Sequence, residues 1–258
     1  MKVVIFAGGL GTRISEESHL RPKPMIEIGG RPLIWHIMKL YESYGHDEFI
    51  ICCGYKANII KEYFINYFLY NSDITVEVAN NKLDVHYTNA ESFKVTLVDT
   101  GLETKTGGRL KKVQKYLEND TFMLTYGDGV CDVNINELIK FHQEHGRNAT
   151  LTAVRPPGRF GNIQANKDGV VSQFHEKPDG DGIWINGGFF VLNPAIFSYL
   201  PANSDNIMWE EDPLTGLANN GQLVTFKHIG FWKCMDAMRD KTELEELWDT
   251  NQAKWKVW

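Results

Sequence analysis

A doubly wound, mostly parallel α/β sheet with helices on both faces, joined to a smaller β-rich part, is the fold class this sequence predicts. Three observations predict it. Short apolar runs at 2–7, 49–53 and 121–126 lack polar alternation, as strands covered on both faces require. Each run is closed by a glycine within a residue or two, and apolar residues recur at helical spacing in the stretches that follow. Strand, helix, strand, helix, strand from the N-terminus then implies right-handed crossovers onto one sheet.

In chain order, 2–7 (KVVIFA) is the first strand and Gly8-Gly9-Leu10-Gly11-Thr12-Arg13 its turn; 26–28 is a short strand turned by Gly29-Gly30. Arg31-Pro32 opens a helix to about residue 44, with Leu33, Ile34, Ile37, Met38 and Tyr41 inward and Gly45 as its stop. The run 49–53 is the second buried strand, and 55–70 is an aromatic helix. Residues 75–78 are predicted as the third strand, 80–94 as a polar excursion or hairpin arm, and 94–99 as another strand. A helix follows Thr106-Gly107-Gly108-Arg109 to about residue 117. The strand 121–126 then ends in Gly127-Asp128-Gly129, before a helix at 134–145, a strand at 149–154 and a stiff Pro-Pro-Gly loop at 156–161.

Beyond 162 the texture changes to short alternating segments, a β-hairpin across Asp168-Gly169. A strand follows Gly187-Gly188; short helices at 195–200 and 212–219, a strand at 223–228, a turn region at 231–235, a charged helix at 240–248 and an aromatic tail at 253–258 complete the chain. The whole length, 1–258, reads as one domain in two parts, 1–155 and 156–258.

Hydrophobic residues form 43% of the chain and charged residues 23%, which allows a substantial core. The net charge of -6 argues against a nucleic-acid groove, so an anion site here is local, with few, placed cations. Cys52, Cys53, Cys131 and Cys234 show no C-x-x-C spacing, which favours free thiols in a reducing cytoplasm. No basic-then-apolar leader and no apolar run of about 20 residues is present, so neither export nor a membrane span is expected.

The chemistry begins in the first turn. Three glycines between Gly8 and Gly11 let the backbone approach a ligand, and exposed peptide N–H groups in such a turn make an anion cradle. Arg13 adds a forked cation, and Lys23, between Pro22 and Pro24, a point charge on a stiff tether. A tight turn alone would explain the glycines without explaining the cations. A dinucleotide fingerprint would need glycine at Ile14, and no G-x-x-x-x-G-K-[ST] exists, so neither of those phosphate loops applies.

Asp128 follows a buried strand with glycine on both sides, a place where ligands bind in such sheets and where a metal has room; the plainer alternative is a turn or cap. Lys177 in Glu176-Lys177-Pro178 reads by itself as a solvated turn lysine, and Asp236 as a helix N-cap. Asn186-Gly187-Gly188 suits sugar hydroxyls, or a β-bulge. The histidines have no metal spacing, and no serine, histidine and acid set forms a triad.

In order and spacing, Gly8 to Arg13, Lys23-Pro24, Tyr126-Gly127-Asp128, Glu176-Lys177-Pro178 and Asn186-Gly187-Gly188 resemble the sugar-1-phosphate nucleotidyltransferases over nearly the whole chain. Overall likeness is greatest to the cytidylyl branch. The resemblance implies a Rossmann-like sheet whose second part binds the sugar phosphate. It implies CTP plus α-D-glucose 1-phosphate giving CDP-glucose and pyrophosphate, with Mg²⁺, in nucleotide-sugar biosynthesis.

Arg13, Lys23 and Asp128 are the catalytic residues it implies. Phe6, Ala7, Gly8, Gly9, Leu10, Gly11, Thr12, Arg13, Lys23, Thr106, Arg109 and Asp128 would contact the nucleotide, with Thr106 and Arg109 helping to seat base and ribose. Lys177, Asn186 and Gly188 would bind the sugar phosphate, and Asp128 and Asp236 the metal. A homo-oligomer is implied, with 63–70 or the tail as contacts or as core. Sister enzymes commonly carry a proline soon after the Arg13 position, where Ser15-Glu16-Glu17 stands here. Thymidylyl, uridylyl or guanylyl transfer is therefore the alternative within the family. A non-catalytic sugar-nucleotide-binding subunit is the alternative outside it, although such a chain would have lost Arg13, Lys23 or an aspartate.

Overall fold

Val3–Ala7 (β1) has no exposed residue, and the computed structural model, which describes residues 1–156, 162–168, 170–175 and 183–258, puts it inside a seven-stranded sheet. The others are Glu48–Cys53 (β2), Lys94–Asp99 (β3), Phe122–Tyr126 (β4), Ala149–Val154 (β5), Ile185–Leu192 (β6) and Leu223–His228 (β7), in spatial order β7-β5-β6-β4-β1-β2-β3. All run parallel except β6, which is antiparallel to both β4 and β5. Val3 lies opposite Phe49 on one side and Met123 on the other.

The chain winds outward from β1 through β2 to β3, then returns to lay β4 against the other side of β1. Strand order therefore reverses between β1 and β4, and the crevice at their carboxyl ends is where open α/β sheets bind ligands. The loop after Ala7 and the turn at Asp128 both emerge there.

Alternation along β1 separates two cores. Val3, Ile5 and Ala7 face the helices Leu33–Ser43 (α1), Ala57–Tyr70 (α2), Ile135–His145 (α4) and Met238–Asp249 (α6). Val4 and Phe6 face Thr106–Val113 (α3) and Asp212–Asn219 (α5), with Trp209 between. Strands of both sequence parts, 1–155 and 156–258, thus share one sheet.

Three local expectations are corrected or completed. The third strand expected at 75–78 is instead Ser72–Glu77, which lies outside the main sheet and pairs antiparallel with Lys82–Thr88. Its Asp73, Thr75 and Glu77 alternate with Ile74 and Val76, a one-faced pattern incompatible with burial on both sides; β3 takes the place at the sheet edge. Residues 231–235 hold a strand, Trp232–Cys234, paired with Gly129–Cys131, too short for alternation to show. The hairpin beyond 162 is Asn162–Ala165 against Val171–His175. Most of the loop 156–161, Gly169 and the Glu176-Lys177-Pro178 segment lie outside the described residues.

Candidate active site

After Ala7 the chain turns over the top of the sheet. Gly11 takes φ 65°, a left-handed conformation that favours glycine, and a Cβ on Gly8 would overlap the Arg109 guanidinium. That guanidinium is packed beneath the loop and only 4% of Arg109 is exposed. Nη1 donates to Cys53 O at 3.2 Å, Thr100 Oγ1 at 2.6 Å and Gly101 O at 2.9 Å; Nη2 donates to Gly8 O at 3.0 Å and Leu102 O at 3.2 Å. Burial draws its pKa below the usual arginine value. Arg109 thereby fastens the first turn to the ends of β2 and β3.

Lys23 begins the short 3-10 turn Lys23–Met25. Its Nζ donates to Asp128 Oδ2 at 2.7 Å and to Asp236 Oδ1 at 2.7 Å. Arg13 Nη1 donates to the other oxygen of Asp236, Oδ2, at 2.8 Å. Two cations and two carboxylates thus form one neutral cluster joining residues more than 200 positions apart. Burial by itself would lower the Lys23 pKa, but the Asp128 charge beside it raises the value above the lysine norm. Burial likewise would raise Asp236, and the Lys23 hydrogen bond and charge, helped by Arg13, hold its carboxyl below the ordinary aspartate value.

Asp236 is free to face this cluster because another residue caps the helix behind it. Asp240 Oδ2 accepts from the backbone N–H groups of Asp236 at 3.0 Å and Ala237 at 2.9 Å. Cys234 shares the cluster: ligand atoms of Asp128, Cys234 and Asp236 all lie within 4.8 Å of one another. Burial, then the Asp128 charge, pushes the Cys234 thiol up, so it stays protonated at neutral pH. Two carboxylates with an unionised thiol are an oxygen donor set, which fits a hard divalent cation such as Mg²⁺.

A second network crosses the same crevice. Glu210 Oε2 accepts from Thr106 Oγ1 at 2.6 Å and Oε1 from Tyr126 OH at 2.6 Å; Asn186 Nδ2 donates to Tyr126 OH at 3.2 Å. Trp209 N donates to Thr106 Oγ1 at 2.8 Å, so the Thr106 hydroxyl has protein partners in both directions. Gly188, with φ 87°, packs on the Tyr126 ring, and Trp232 Nε1 donates to Gly187 O at 2.8 Å. These contacts set the Asn186–Gly188 segment of β6 against the start of helix α3.

Residues 6–14, Lys23, 102–106, Arg109, 126–128 and Met208 border one cleft of about 390 Å³, in the size range of small-molecule sites. Every residue expected at the nucleotide, from Phe6 to Arg13 with Lys23, Thr106, Arg109 and Asp128, lies on it. Asp236 joins through Lys23 and Arg13, and Asn186 and Gly188 through Tyr126. Lys177 lies outside the described residues. Thr106 and Arg109 meet the cleft with side chains already committed to protein partners. Sequence reading missed Glu210 and Cys234, which no motif marks, and passed over Tyr126 although it directly precedes Gly127-Asp128.

The nucleotidyl transferase family model matches residues 2–233, and the chain belongs to that family. It is 55% identical to glucose-1-phosphate cytidylyltransferase of Salmonella typhimurium, aligned over 100% of both chains. Among solved structures, HddC from Yersinia pseudotuberculosis superposes with a TM-score of 0.70 at 25% identity, covering 96% of this chain and 99% of that one. UDP-glucose pyrophosphorylase complexed with UDP-glucose has the same fold, with a TM-score of 0.69 at 17% identity, covering 97% and 98%.

Proposed function

We propose that this enzyme transfers the cytidylyl group of CTP to α-D-glucose 1-phosphate, giving CDP-glucose and pyrophosphate. The neutral cluster of Arg13, Lys23, Asp128 and Asp236 at the mouth of the Gly8 to Gly11 cradle carries the reaction class. Full-length likeness to the Salmonella enzyme supports the choice of substrates.

A sugar-phosphate oxygen attacks the α-phosphorus in line and pyrophosphate leaves, so the protein's task is placement and charge neutralisation without a covalent intermediate. Loop N–H groups and Arg13 take the triphosphate, and Lys23 bridges the reacting phosphates. Asp128 and Asp236 would hold Mg²⁺, which supplies charge neutralisation at the α-phosphate when bound. Asn186 and Gly188, steadied by Tyr126 and Trp232, face the sugar, with Lys177 on its phosphate. Arg109 and Thr106 set the shape of the nucleotide pocket from behind. In this reading residues 1–155 hold the nucleotide and 156–258 the sugar phosphate.

Pyrophosphate release with glucose 1-phosphate is to be measured across CTP, UTP, dTTP, GTP and ATP. CTP is expected to give the highest kcat/KM; a preference for any other donor would overturn the assignment of the base.

The enzyme is further proposed to be a cytoplasmic homo-oligomer. All four cysteines are free thiols, and among the described residues no helix is long and apolar enough to cross a membrane. The ribbon Ser72–Glu77/Lys82–Thr88 presents Ile74, Val76, Leu83 and Val85 on one exposed face. A two-stranded ribbon is marginal alone, so a second copy of this chain is its natural cover. Within the aromatic tail, Trp255 is buried in the core while Val257 is exposed, so the ribbon is the larger apolar face of the two. Ile74→Asp combined with Val85→Lys should lower the mass measured by light scattering after size exclusion; an unchanged mass would remove the ribbon from the interface.

A further inference from the structure

The ion pairs at the cleft have a consequence for how the site loads. Asp128 and Asp236 are the carboxylates assigned to the divalent cation, yet both are already occupied by protein cations. Lys23 Nζ sits between them at 2.7 Å from each, and Arg13 takes the remaining oxygen of Asp236 at 2.8 Å. The two positive charges balance the two negative ones. A divalent cation approaching this cluster meets carboxylates with no net charge to offer, and two like charges beside them.

We propose that Lys23 and Arg13 act as internal counter-ions that hold the Asp128–Asp236 pair closed to metal until a nucleoside triphosphate draws them onto its phosphates. Divalent cation and nucleotide then load together, and the inference rests on the metal assignment above.

The two cations are placed differently for this exchange. Lys23 is 7% exposed and tethered between prolines, so its short travel is from the carboxylate pair to the adjoining cleft, which it also lines. Arg13 has 72% of its side chain exposed, is held by a single ion pair, and follows directly on the glycine cradle. Both therefore reach the region where phosphates would sit. Lys23 leaves the carboxylates only when another anion replaces them, because a buried ammonium without a partner is strongly disfavoured, whereas Arg13, largely in solvent, is held only by its ion pair. By linkage, whatever nucleotide does for metal affinity, metal does equally for nucleotide affinity.

The test is Mn²⁺ binding followed by water-proton relaxation, which separates protein-bound from free or nucleotide-bound Mn²⁺ and needs no turnover. Wild-type protein is expected to bind Mn²⁺ weakly without CTP and firmly with it. Lys23→Met should bind Mn²⁺ without CTP about tenfold more tightly than wild type, and Lys23→Arg, which keeps the charge, should not. Arg13→Met, at an exposed position where folding is not at stake, should show a smaller rise of about threefold. Equal nucleotide-free Mn²⁺ affinity in wild type, Lys23→Met and Arg13→Met overturns the exchange. Asp128→Asn separates the two readings. If it leaves Mn²⁺ binding in the presence of CTP unchanged, the metal assignment itself falls; if it abolishes that binding, the assignment stands whichever way the exchange is decided.

Discussion

Around His36 the C-terminal segment is held to the N-terminal half chiefly by uncharged rings; around Lys23 it is held by ion pairs. His36 is wholly buried among Trp35, Trp248, Trp255 and Trp258. Its Nε2–H donates to Ile28 O at 2.8 Å, and its Nδ1 accepts from Trp255 Nε1 at 3.3 Å. Both ring nitrogens are satisfied by fixed neutral partners, and nothing a solute carries could replace them. In the Lys23 cluster every partner is an ion that phosphate or a divalent cation can replace. Both regions stitch the same distant segments together. Only the one whose partners are exchangeable can also bind and release a ligand.

Cutting each region should therefore fail in a different currency. The largest effect on stability belongs to Trp255→Ala, which empties a fully buried indole site and removes the donor to His36; a loss of about 3–5 kcal/mol is expected in denaturant unfolding. Turnover per folded molecule should stay near wild type. Lys23→Ala should do the reverse, with turnover down about 100-fold or more and a smaller change in unfolding free energy. Equal losses of stability and turnover in both variants would erase the contrast.

Acid sharpens it further. Burial, chiefly, pushes His36 down to about 4 from an ordinary 6.5. A folded value below the unfolded one means the neutral ring is favoured by the fold. That stability is fully present above pH 6.5 and is lost as pH falls toward 4, by up to roughly 3 kcal/mol. Asp236 is depressed below 3.8, so its contribution is present above 3.8 and disappears only as pH falls through the lower folded value. Lys23 is raised above 10.5, so its contribution is present below 10.5 and disappears as pH rises through the higher folded value. The tryptophan cage should thus weaken between pH 6.5 and 4 while the ion cluster is intact. A stability profile flat over that interval would contradict the buried neutral histidine.

The difference also explains what was legible in the sequence. Buried parallel strands are apolar runs closed by glycine, so the sheet centre and its crevice could be read from residues 2–13, 49–54 and 121–129. Lys23 between prolines and Arg13 after the glycines stood out because a tight turn does not explain placed cations, whereas Asp128 alone read equally as a turn or cap and was lifted by the family resemblance. The cage was not legible: His36 and Trp255 lie 219 positions apart, and an aromatic tail reads equally as core or contact. Glu210 escaped because its two partners, Thr106 and Tyr126, come from distant segments. The ribbon was misplaced in the sheet because its alternation, visible in Asp73 to Glu77, was outweighed by the expected strand order. Arg109 was visible as a cation, but its burial under the first turn depends on space left by Gly8 and Gly54, which only the fold brings together.

The carboxylates paired by Lys23 are proposed to be the metal-dependent centre of nucleotidyl transfer. Asp128→Asn tests this role most directly, because the change removes one charge at nearly constant shape. CDP-glucose formation from CTP and glucose 1-phosphate is to be measured over a range of Mg²⁺ concentrations, with thermal unfolding alongside. Turnover is expected to fall by about 10³-fold with the fold retained. Wild-type turnover with an unchanged Mg²⁺ dependence would contradict that role.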